Sequence, residues 1–216
     1  MGKIYYVMGK SASGKDTIYK RLVKELPELG TVRMYTTRPI RDGETNGVEY
    51  IFTDEKQLQA MKDAGKVIEC RTYDTIYGPW SYFTADDGQI DLGSGSYLMM
   101  GTLESYEKLC SYYGAEVMVP LYIHVEDGER LQRALNREKT QKVPKYAEMC
   151  RRFLADEKDF AKERLDQCGI RKQYENTGLE PCIEEIIKDI LCNEGKEKQM
   201  LKKIAVSYTH LTLPTN

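Results

Sequence analysis

The feature that most constrains this chain is a glycine-rich segment, Gly9-Lys-Ser-Ala-Ser-Gly-Lys-Asp-Thr17, which separates two different hydrophobic patterns. The apolar run before it, residues 3–8, predicts a β-strand. After it, Ile18, Leu22 and Leu26 recur at helical spacing and predict an amphipathic helix. Glycines permit a tight turn with inward-pointing N–H groups, and a helix N-terminus adds its positive dipole end. The segment therefore predicts a phosphate-binding loop, although a plain glycine turn is the alternative.

Several loop positions have predicted roles with a nucleoside triphosphate. Lys15 would reach the β- and γ-phosphates. Asp16 stands where a hydroxyl residue usually binds Mg²⁺, and we expect it to bind that cation directly or through water, because a bare carboxylate would be repelled by phosphate. The alternative is that Asp16 only caps the helix. The predicted ATP-binding residues of the loop are Gly9, Ser11, Ala12, Ser13, Gly14, Lys15, Asp16 and Thr17.

Composition excludes several functional classes. The 216 residues include 32 Lys and Arg against 34 Asp and Glu, so no basic bias predicts nucleic-acid binding. No stretch has the length of a transmembrane span and no secretory signal pattern begins the chain, so we expect a cytoplasmic protein with no membrane partner. The six cysteines show no metal spacing and fit a reducing compartment. With two histidines, a His-based zinc site or a Ser-His-Asp triad has no material.

Predicted strands alternate with predicted helices, which indicates an α/β fold with a mostly parallel sheet. Residues 71–96 predict only loops and short pieces. The predicted strands are 32–35, 50–53, 67–70, 97–100 and 117–125, and the later helices are 54–64, 103–112, 129–138, 146–165 and 183–191.

Residues 36–50, Thr-Thr-Arg-Pro-Ile-Arg-Asp-Gly-Glu-Thr-Asn-Gly-Val-Glu-Tyr, closely resemble the GMP-binding segment of guanylate kinases. This segment and the phosphate loop occur in the family's order and spacing. The resemblance covers about residues 3–190, although residues 80–116 match poorly. It implies a P-loop NTPase three-layer fold with a parallel core sheet, a small NMP-binding lobe and a helical lid.

The resemblance also implies a division of the chain. A guanylate-kinase-like domain would span 1–195, with a core of 1–32, 84–125 and 156–195, an NMP-binding lobe of 33–83 and a lid of 126–155. Residues 196–216 would form a tail. Within it, residues 206–215 resemble the in-frame translation of a sequencing adapter, so we expect native sequence to end near residue 205; a natural tail is the alternative.

The acceptor segment carries phosphate-binding chemistry of its own. Arg38 and Arg41 offer planar donor forks that suit phosphate oxygens, and Tyr50 and Tyr77 could add hydroxyl donors. An arginine-rich solvated loop is the alternative. The resemblance implies that the GMP-binding residues are Thr36, Arg38, Arg41, Tyr50, Glu69 and Tyr77.

The base-reading part of the acceptor site departs from the family. Glu69 matches the guanine reader, whose carboxylate accepts from guanine N1–H and the 2-amino group and is repelled by adenine N1. Two serines of the family align with Met34 and Pro79, which have no hydroxyl. The family's aspartate aligns near residues 99–102, where no carboxylate occurs. The phosphate half of the acceptor site is therefore complete, and the base half is reduced.

Three arginines match the family's catalytic positions. Arg133 and Arg137 match the lid pair, and Arg152 matches the arginine of the following helix; Asn176 matches an ATP-binding position. Phosphoryl transfer depends on positioning and charge neutralisation, which arginines brought in by lid closure supply. Arg130 is expected on a solvated helix face.

The resemblance implies an enzyme that uses ATP, Mg²⁺ and GMP, with dGMP as a further acceptor, to give ADP and GDP. The small-molecule substrates ATP and GMP would be its partners. One alternative is a related kinase with another phosphorylated acceptor, since the base half is reduced. A second is a non-catalytic phosphoprotein-binding module, against which Lys15 and the lid arginines argue.

Overall fold

The structure, a computed structural model, describes residues 1–75 and 78–196. Its elements follow the chain as β1 (Ile4–Met8), α1 (Lys15–Glu25), β2 (Gly30–Thr31), β3 (Tyr35–Thr36), β4 (Ile51–Phe52), α2 (Glu55–Asp63), β5 (Val67–Thr75), β6 (Gly78–Ala85), β7 (Tyr97–Met100), α3 (Leu103–Tyr113), β8 (Met118–His124), α4 (Asp127–Lys139), α5 (Tyr146–Asp159), α6 (Lys162–Gln167), β9 (Gln173–Glu175) and α7 (Leu179–Asn193).

A five-stranded parallel sheet, in the order β2-β7-β1-β8-β9, forms the centre of the molecule. In β1 successive side chains alternate between two cores, as the strand period of two requires. Tyr5 and Val7 pack with α1 and α7, whereas Tyr6 and Met8 pack with α3. The sheet is thus covered on both faces. The predicted α/β class with a parallel core sheet is confirmed.

A second sheet, in the order β4-β3-β6-β5, contacts α3 through β5, and α3 in turn packs on the first sheet. Its largest part is the antiparallel hairpin of β5 and β6, with Glu69 opposite Thr84 and Arg71 opposite Tyr82. The helix α2 covers this sheet with Leu58, which packs on Phe83. Asp54 caps α2 by accepting a hydrogen bond of 2.7 Å from the Gln57 N–H, as its sequence predicts.

Three predictions about local structure are wrong. Residues 71–85 form most of a long hairpin instead of loops. The strand expected at 32–35 is two short strands, because Gly30 and Thr31 pair with β7 whereas Tyr35 and Thr36 pair with β4 and β6. The chain crosses from one sheet to the other between them.

The single helix expected at 146–165 is divided into α5 and α6. Phe160 ends α5 because it is buried against Tyr122, with the two rings stacked at 5.5 Å. Ala161 then takes an extended backbone conformation and starts α6. Burial of one aromatic ring overrides the helical pattern at this point.

Two sequence predictions fall outside the described residues, namely the role of Tyr77 and the identity of the tail at 197–216. The boundaries of the lobe and the lid stay a prediction. Within the ranges 1–75 and 78–196, no helix combines the length and the apolarity that crossing a bilayer requires.

Candidate functional site

The glycine-rich loop joins β1 to α1 at the carboxyl edge of the parallel sheet. Gly14 lies just before α1 with φ of 86°, a left-handed conformation that favours glycine. A Cβ atom at Gly14 would lie 2.5 Å from Nδ2 of Asn176, and one at Gly9 would lie 2.6 Å from the carbonyl oxygen of Ile123. Both glycines are therefore required by close packing as well as by the turn.

The loop presents the groups that a phosphate would need. Lys15 is the first residue of α1, and its ammonium lies 3.6 Å from the Asp16 carboxylate. The Asp16 side chain is 70% exposed, which leaves its oxygens accessible to solvent and cations. Ser13 is buried, and its hydroxyl has no hydrogen-bond partner among the described residues. Ala12 has φ of 63°, a strained value for a residue with a Cβ atom.

Asn176, a predicted ATP-binding residue, braces this loop from behind. Its side-chain amide donates a hydrogen bond of 2.8 Å to the Ser13 carbonyl, and only 4% of the residue is exposed. Arg133 donates one of 3.0 Å to the backbone carbonyl of Asn176. These two predicted residues are thus brought to the phosphate loop, and in this structure both contact protein groups.

An ion cluster, formed by Lys10, Asp127, Arg130, Asp156 and Glu157 around the buried Arg130, binds the loop to α4 and α5. Arg130 is 1% exposed and donates to Asp127 at 2.8 Å, to Glu157 at 2.9 Å and to Asp156 at 3.4 Å. Its guanidinium also lies over the Phe153 ring at 4.4 Å. The expectation that Arg130 is solvated is wrong, because α5 packs on α4 and brings Asp156, Glu157 and the Phe153 ring onto the guanidinium.

The ion cluster fixes the loop through the backbone of Ser11. The Ser11 N–H donates to Asp156 at 2.7 Å, and the Ser11 carbonyl accepts from Arg130 at 3.1 Å. Lys10 donates to Glu157 at 2.7 Å. Burial opposes ionisation of Asp127, but the hydrogen bond from Arg130 and the nearby Lys10 charge prevail and lower its pKa.

The other two lid arginines lie near the same loop. Arg137 and Arg152 line a shallow recess that also includes Ser11 and Phe153. Arg152 donates a hydrogen bond of 2.9 Å to Glu148 from an exposed position. The predicted lid arginines are therefore gathered on the loop side of the molecule, at different distances from it.

The predicted phosphate-binding arginine of the second sheet is already paired. Arg38 is 3% exposed and forms a bidentate ion pair with Glu44, at 2.5 and 2.7 Å. The guanidinium lies 5.2 Å from the ring centres of Tyr50 and Phe52. The hydrogen bonds from Arg38 lower the pKa of Glu44 to about 2.

The remaining acceptor residues are arranged around this pair. Arg41 is exposed, and its backbone N–H donates to Glu44 at 2.9 Å. The Thr36 hydroxyl is buried and donates to the Ser81 carbonyl at 2.9 Å, so it serves the packing of the sheet in this structure. Arg38, Arg41 and Tyr50 thus lie together, while Thr36 lies inside the second sheet.

A cleft of about 510 Å³ separates the phosphate loop from the acceptor segment. Asp16 lines one side and Tyr50 the other, so the cleft connects the two predicted half-sites. Its lining is mostly apolar and consists of Asp16, Tyr19, Lys20, Val23, Thr31, Val32, Arg33, Met34, Val48, Glu49, Tyr50, Met99 and Met100. Parallel α/β sheets characteristically bind ligands at such a crevice beyond the carboxyl ends of their strands.

Glu69, the predicted base reader, is enclosed. Its carboxylate accepts hydrogen bonds from the Thr84 hydroxyl at 2.9 Å, the Ser105 hydroxyl at 3.1 Å and Nε of Arg71 at 3.3 Å. None of its side chain is exposed. Arg71 in turn donates from Nη1 to Thr102 at 3.0 Å.

Known proteins resemble this chain most clearly in its first third. Residues 1–81 match the family model for guanylate kinase. The guanylate kinase of Legionella pneumophila (strain Lens) is 37% identical over 78 residues, which are 36% of this chain and 37% of that protein. The guanylate kinase of Coxiella burnetii is 38% identical over 76 residues, which are 35% of this chain and 37% of that protein. The resemblance to the guanylate kinase family is confirmed.

The guanylate kinase similarity extends through the rest of the molecule at the level of fold. A crystal structure of guanylate kinase from Anaplasma phagocytophilum matches with a TM-score of 0.58 over 89% of this chain and 86% of that chain, at 19% identity. By sequence, the chain spans about 37% of the length of the curated relatives it matches. That matched part contains the phosphate loop and the acceptor segment, whereas the lid arginines lie outside it.

Four side chains that organise this guanylate-kinase-like site were not predicted, namely Glu44, Arg71, Arg130 and Asp156. Two left a signal in the sequence. Glu44 lies within the segment that resembles the family, and Arg71 follows Glu69 by two residues, the spacing that places both on one face of a strand. The pairing of Arg130 with Asp156 joins residues 26 positions apart and depends on tertiary structure.

Proposed function

We propose that this protein transfers the γ-phosphoryl group of ATP to GMP, and to dGMP as well, giving ADP and the nucleoside diphosphate. The observation that carries the proposal is the cleft of about 510 Å³, which is lined by Asp16 of the phosphate loop and by Tyr50, whose ring lies 5.2 Å from the Arg38 guanidinium. A donor nucleotide and a monophosphate bound there would bring their phosphates together. Such positioning supplies much of the catalysis of phosphoryl transfer.

The loop would hold the donor. Its backbone N–H groups and the start of α1 favour anionic oxygens, and Lys15 would offset charge on the transferring group. The residues we assign to ATP are those predicted from the sequence, Gly9, Ser11–Thr17 and Asn176. Arg133, Arg137 and Arg152 would approach the phosphates when the lid closes, and to do so Arg133 and Arg152 must exchange their present carboxylate partners.

The second sheet would hold the acceptor phosphate. Arg38 can present its guanidinium to phosphate oxygens if it shares or leaves Glu44, and the exposed Arg41 needs no such exchange. A bidentate arginine contact is geometrically suited to a phosphate. The Tyr50 hydroxyl lines the cleft beside them.

Mg²⁺ would accompany ATP, with Asp16 as the protein group nearest to it. Mg²⁺ commonly keeps several waters and takes one or two carboxylates together with substrate phosphates. The exposed carboxylate of Asp16 beside Lys15 fits that demand. Across the part of the chain that the structure describes, no group of three His, Cys, Asp or Glu side chains could hold a metal without a substrate.

A coupled assay of ADP release tests the proposal. The full chain is supplied with ATP, Mg²⁺ and one acceptor at a time, from GMP, dGMP, AMP, UMP and CMP. We expect turnover with GMP and dGMP and little with the others. Equal use of AMP and GMP would refute the guanine assignment, and ADP release that ignores the acceptor would refute the transferase.

One observation favours a second candidate, a related kinase with another phosphorylated acceptor. Met34, Met99 and Met100 line the cleft where polar base contacts are expected. A ligand that binds only the folded state raises the melting temperature. If ATP does so while GMP is not phosphorylated, this candidate is preferred. A chain that ATP does not stabilise would instead fit a non-catalytic binding module.

A further inference from the structure

Arg71 has donor capacity that the protein does not use. Its Nε and Nη1 atoms bond to Glu69 and Thr102, at 3.3 and 3.0 Å. Nη2, by contrast, has only the sulfur of Met34 within reach among the described residues, at 4.0 Å. A thioether is a weak acceptor, and the side chain is 10% exposed. A largely enclosed guanidinium that lacks an oxygen acceptor on one nitrogen is costly unless a ligand supplies one.

Met34 separates this nitrogen from the substrate cleft. Its side chain both lines the cleft and contacts Arg71. Methionine is unbranched and flexible, so it can move aside at little cost when a ring enters. Movement of Met34, which aligns with a serine of the family, would therefore expose the Arg71 guanidinium to the cleft.

We propose that Arg71 is a base-reading residue which, with Glu69, recognises guanine by one continuous edge. This inference rests on the proposed function, since it assigns the base of the same acceptor. Along that edge guanine presents two donors, the 2-amino group and N1–H, and then two acceptors, O6 and N7. Glu69 accepts from the first two, and the two hydrogens of the Arg71 Nη2 group are donated to the last two, acceptors that arginine also recognises in nucleic acids.

The adjacent carboxylate and guanidinium also reject adenine twice. Adenine presents an unprotonated N1, which is an acceptor, towards the acceptor Glu69. It presents a 6-amino donor towards the donor Arg71, so neither contact can be a hydrogen bond. The reduced base half of the site is thereby compensated. One arginine replaces hydroxyl groups that Met34 and Pro79 lack.

A purely structural role for Arg71 predicts something different. Glu69 already accepts hydrogen bonds from Thr84 and Ser105, and Arg71 would then only neutralise its charge. In that case a lysine at position 71 would suffice, and the N7 atom of the substrate would be irrelevant. Base analogues therefore distinguish the two roles without changing the protein.

The experiment measures binding by calorimetry and kcat/KM for GMP, 7-deaza-GMP and IMP. 7-Deaza-GMP lacks the N7 acceptor, whereas IMP keeps N7 and lacks the 2-amino donor. For the unmodified chain we expect 7-deaza-GMP to be about ten- to a hundredfold poorer than GMP, the loss of one charge-assisted hydrogen bond. In Arg71→Met, which has no donor, the ratio of GMP to 7-deaza-GMP should approach one, while the ratio of GMP to IMP is unchanged. In Arg71→Lys, whose ammonium can still donate to O6 and N7, the first ratio should stay above one.

Arg21→Met is the matched control, because Arg21 also bonds to carboxylates but lies on the surface between α1 and α7. It should keep both ratios. Equal use of GMP and 7-deaza-GMP by the unmodified chain would overturn the role of Arg71 while leaving GMP phosphorylation in place. A chain that neither binds nor phosphorylates GMP would overturn both. If Arg71→Met does not fold, the analogue comparison on the unmodified chain decides alone.

Discussion

Two regions flank the cleft, the phosphate loop with its supporting ion cluster (the loop wall) and the second sheet with its charged pairs (the acceptor wall), and they differ in where their charged groups find partners. On the loop wall, Ser11 is held by Arg130 and Asp156, residues more than a hundred positions away along the chain. On the acceptor wall, Arg38 pairs with Glu44 six positions on, and Glu69 pairs with Arg71 two positions on. The first wall is shaped by tertiary structure, and the second by local pairs.

This difference has an energetic meaning. Both walls contain enclosed arginines, so removing one partner on either wall leaves a charge behind. On the loop wall such a change also releases the backbone of Ser11, which lies far away in sequence. A local pair can exchange one partner for a substrate group of the same charge without moving distant elements. If the proposed function is correct, a phosphate would take the place of Glu44 on the acceptor wall, whereas the loop wall would keep its present contacts.

The largest expected effect is on kcat and comes from replacing Lys15 in the phosphate loop. Lys15→Ala should lower kcat by about a hundredfold or more, the scale of losing one preorganised charge at a reacting oxyanion, with the fold intact. The coupled assay measures turnover, and thermal unfolding measures the fold. Lys24→Ala, an exposed lysine in the last turn of α1, is the control. A rate within about threefold of the unmodified chain would exclude the phosphate-loop role.

On the loop wall, a substitution in the ion cluster should lower the free energy of unfolding the most. Arg130→Gln is expected to reduce the free energy of unfolding by about 1.5–3 kcal/mol, because it removes the arginine partner of the largely buried Asp156 while Lys10 still pairs with Asp127 and Glu157. Arg151→Gln, an exposed arginine paired with Glu148, should cost less than about 1 kcal/mol. Urea denaturation compares them, and equal costs would show that the ion cluster contributes no more to stability than an exposed pair.

On the acceptor wall, the effect should fall on one substrate only. Arg38→Ala or Arg41→Ala should weaken GMP binding by about ten- to a hundredfold and leave ATP binding nearly unchanged, since a charge-assisted hydrogen bond contributes about 1.5–3 kcal/mol. Calorimetry with each nucleotide provides the measurement. Parallel losses for ATP and GMP would place these arginines elsewhere.

Asp16 lines the cleft from the loop wall, and its replacement tests the predicted Mg²⁺ role. If it holds Mg²⁺, Asp16→Asn should clearly raise the Mg²⁺ concentration that gives half-maximal rate. If it only favours the helix terminus, the variant loses about 0.3–1 kcal/mol of stability and keeps the same Mg²⁺ curve. A titration of rate against Mg²⁺ separates the two, and an unchanged curve would end the metal role.

The smallest expected effect is a loss of stability at low pH. The hydrogen bonds from Arg38 lower the pKa of Glu44 from 4.5 to about 2, so its contribution to stability is complete above its ordinary pKa. That contribution should disappear as the pH falls from about 4.5 to about 2. Urea midpoints across this range should fall further in the unmodified chain than in Glu44→Gln. Parallel curves, like those expected for the exposed Glu55→Gln, would contradict a stabilising pair.

Much of the parallel core could be predicted because its signals are local. Strands β1 and β7 and the start of α1 follow directly from apolar runs, helical spacing and the glycine loop. The hairpin of β5 and β6 could not, since Gly78 and Pro79 weaken the strand pattern and antiparallel pairing across the turn compensates. The end of α5 likewise depends on Tyr122, which lies far away in sequence.

The candidate site divides in the same way. The loop and the acceptor segment carry motifs, so Lys15 and Arg38 could be proposed from the sequence alone. The burial of Arg130 could not be, because an arginine on a helix is ordinarily solvated and its acidic partners lie on α5. Arg71 could have been proposed from its spacing to Glu69. That its Nη2 group has no oxygen acceptor among the described residues is seen only in the three-dimensional structure.

The hold on Ser11 has a consequence for how this protein can vary. Arg130 and Asp156 grip only its N–H and carbonyl, which every residue except proline possesses. The Ser11 side chain therefore takes no part in this hold, whereas a change at Arg130 or Asp156 removes one of the two hydrogen bonds. A search for relatives that weights the loop by its side chains would overlook the two helical positions that give the loop its shape.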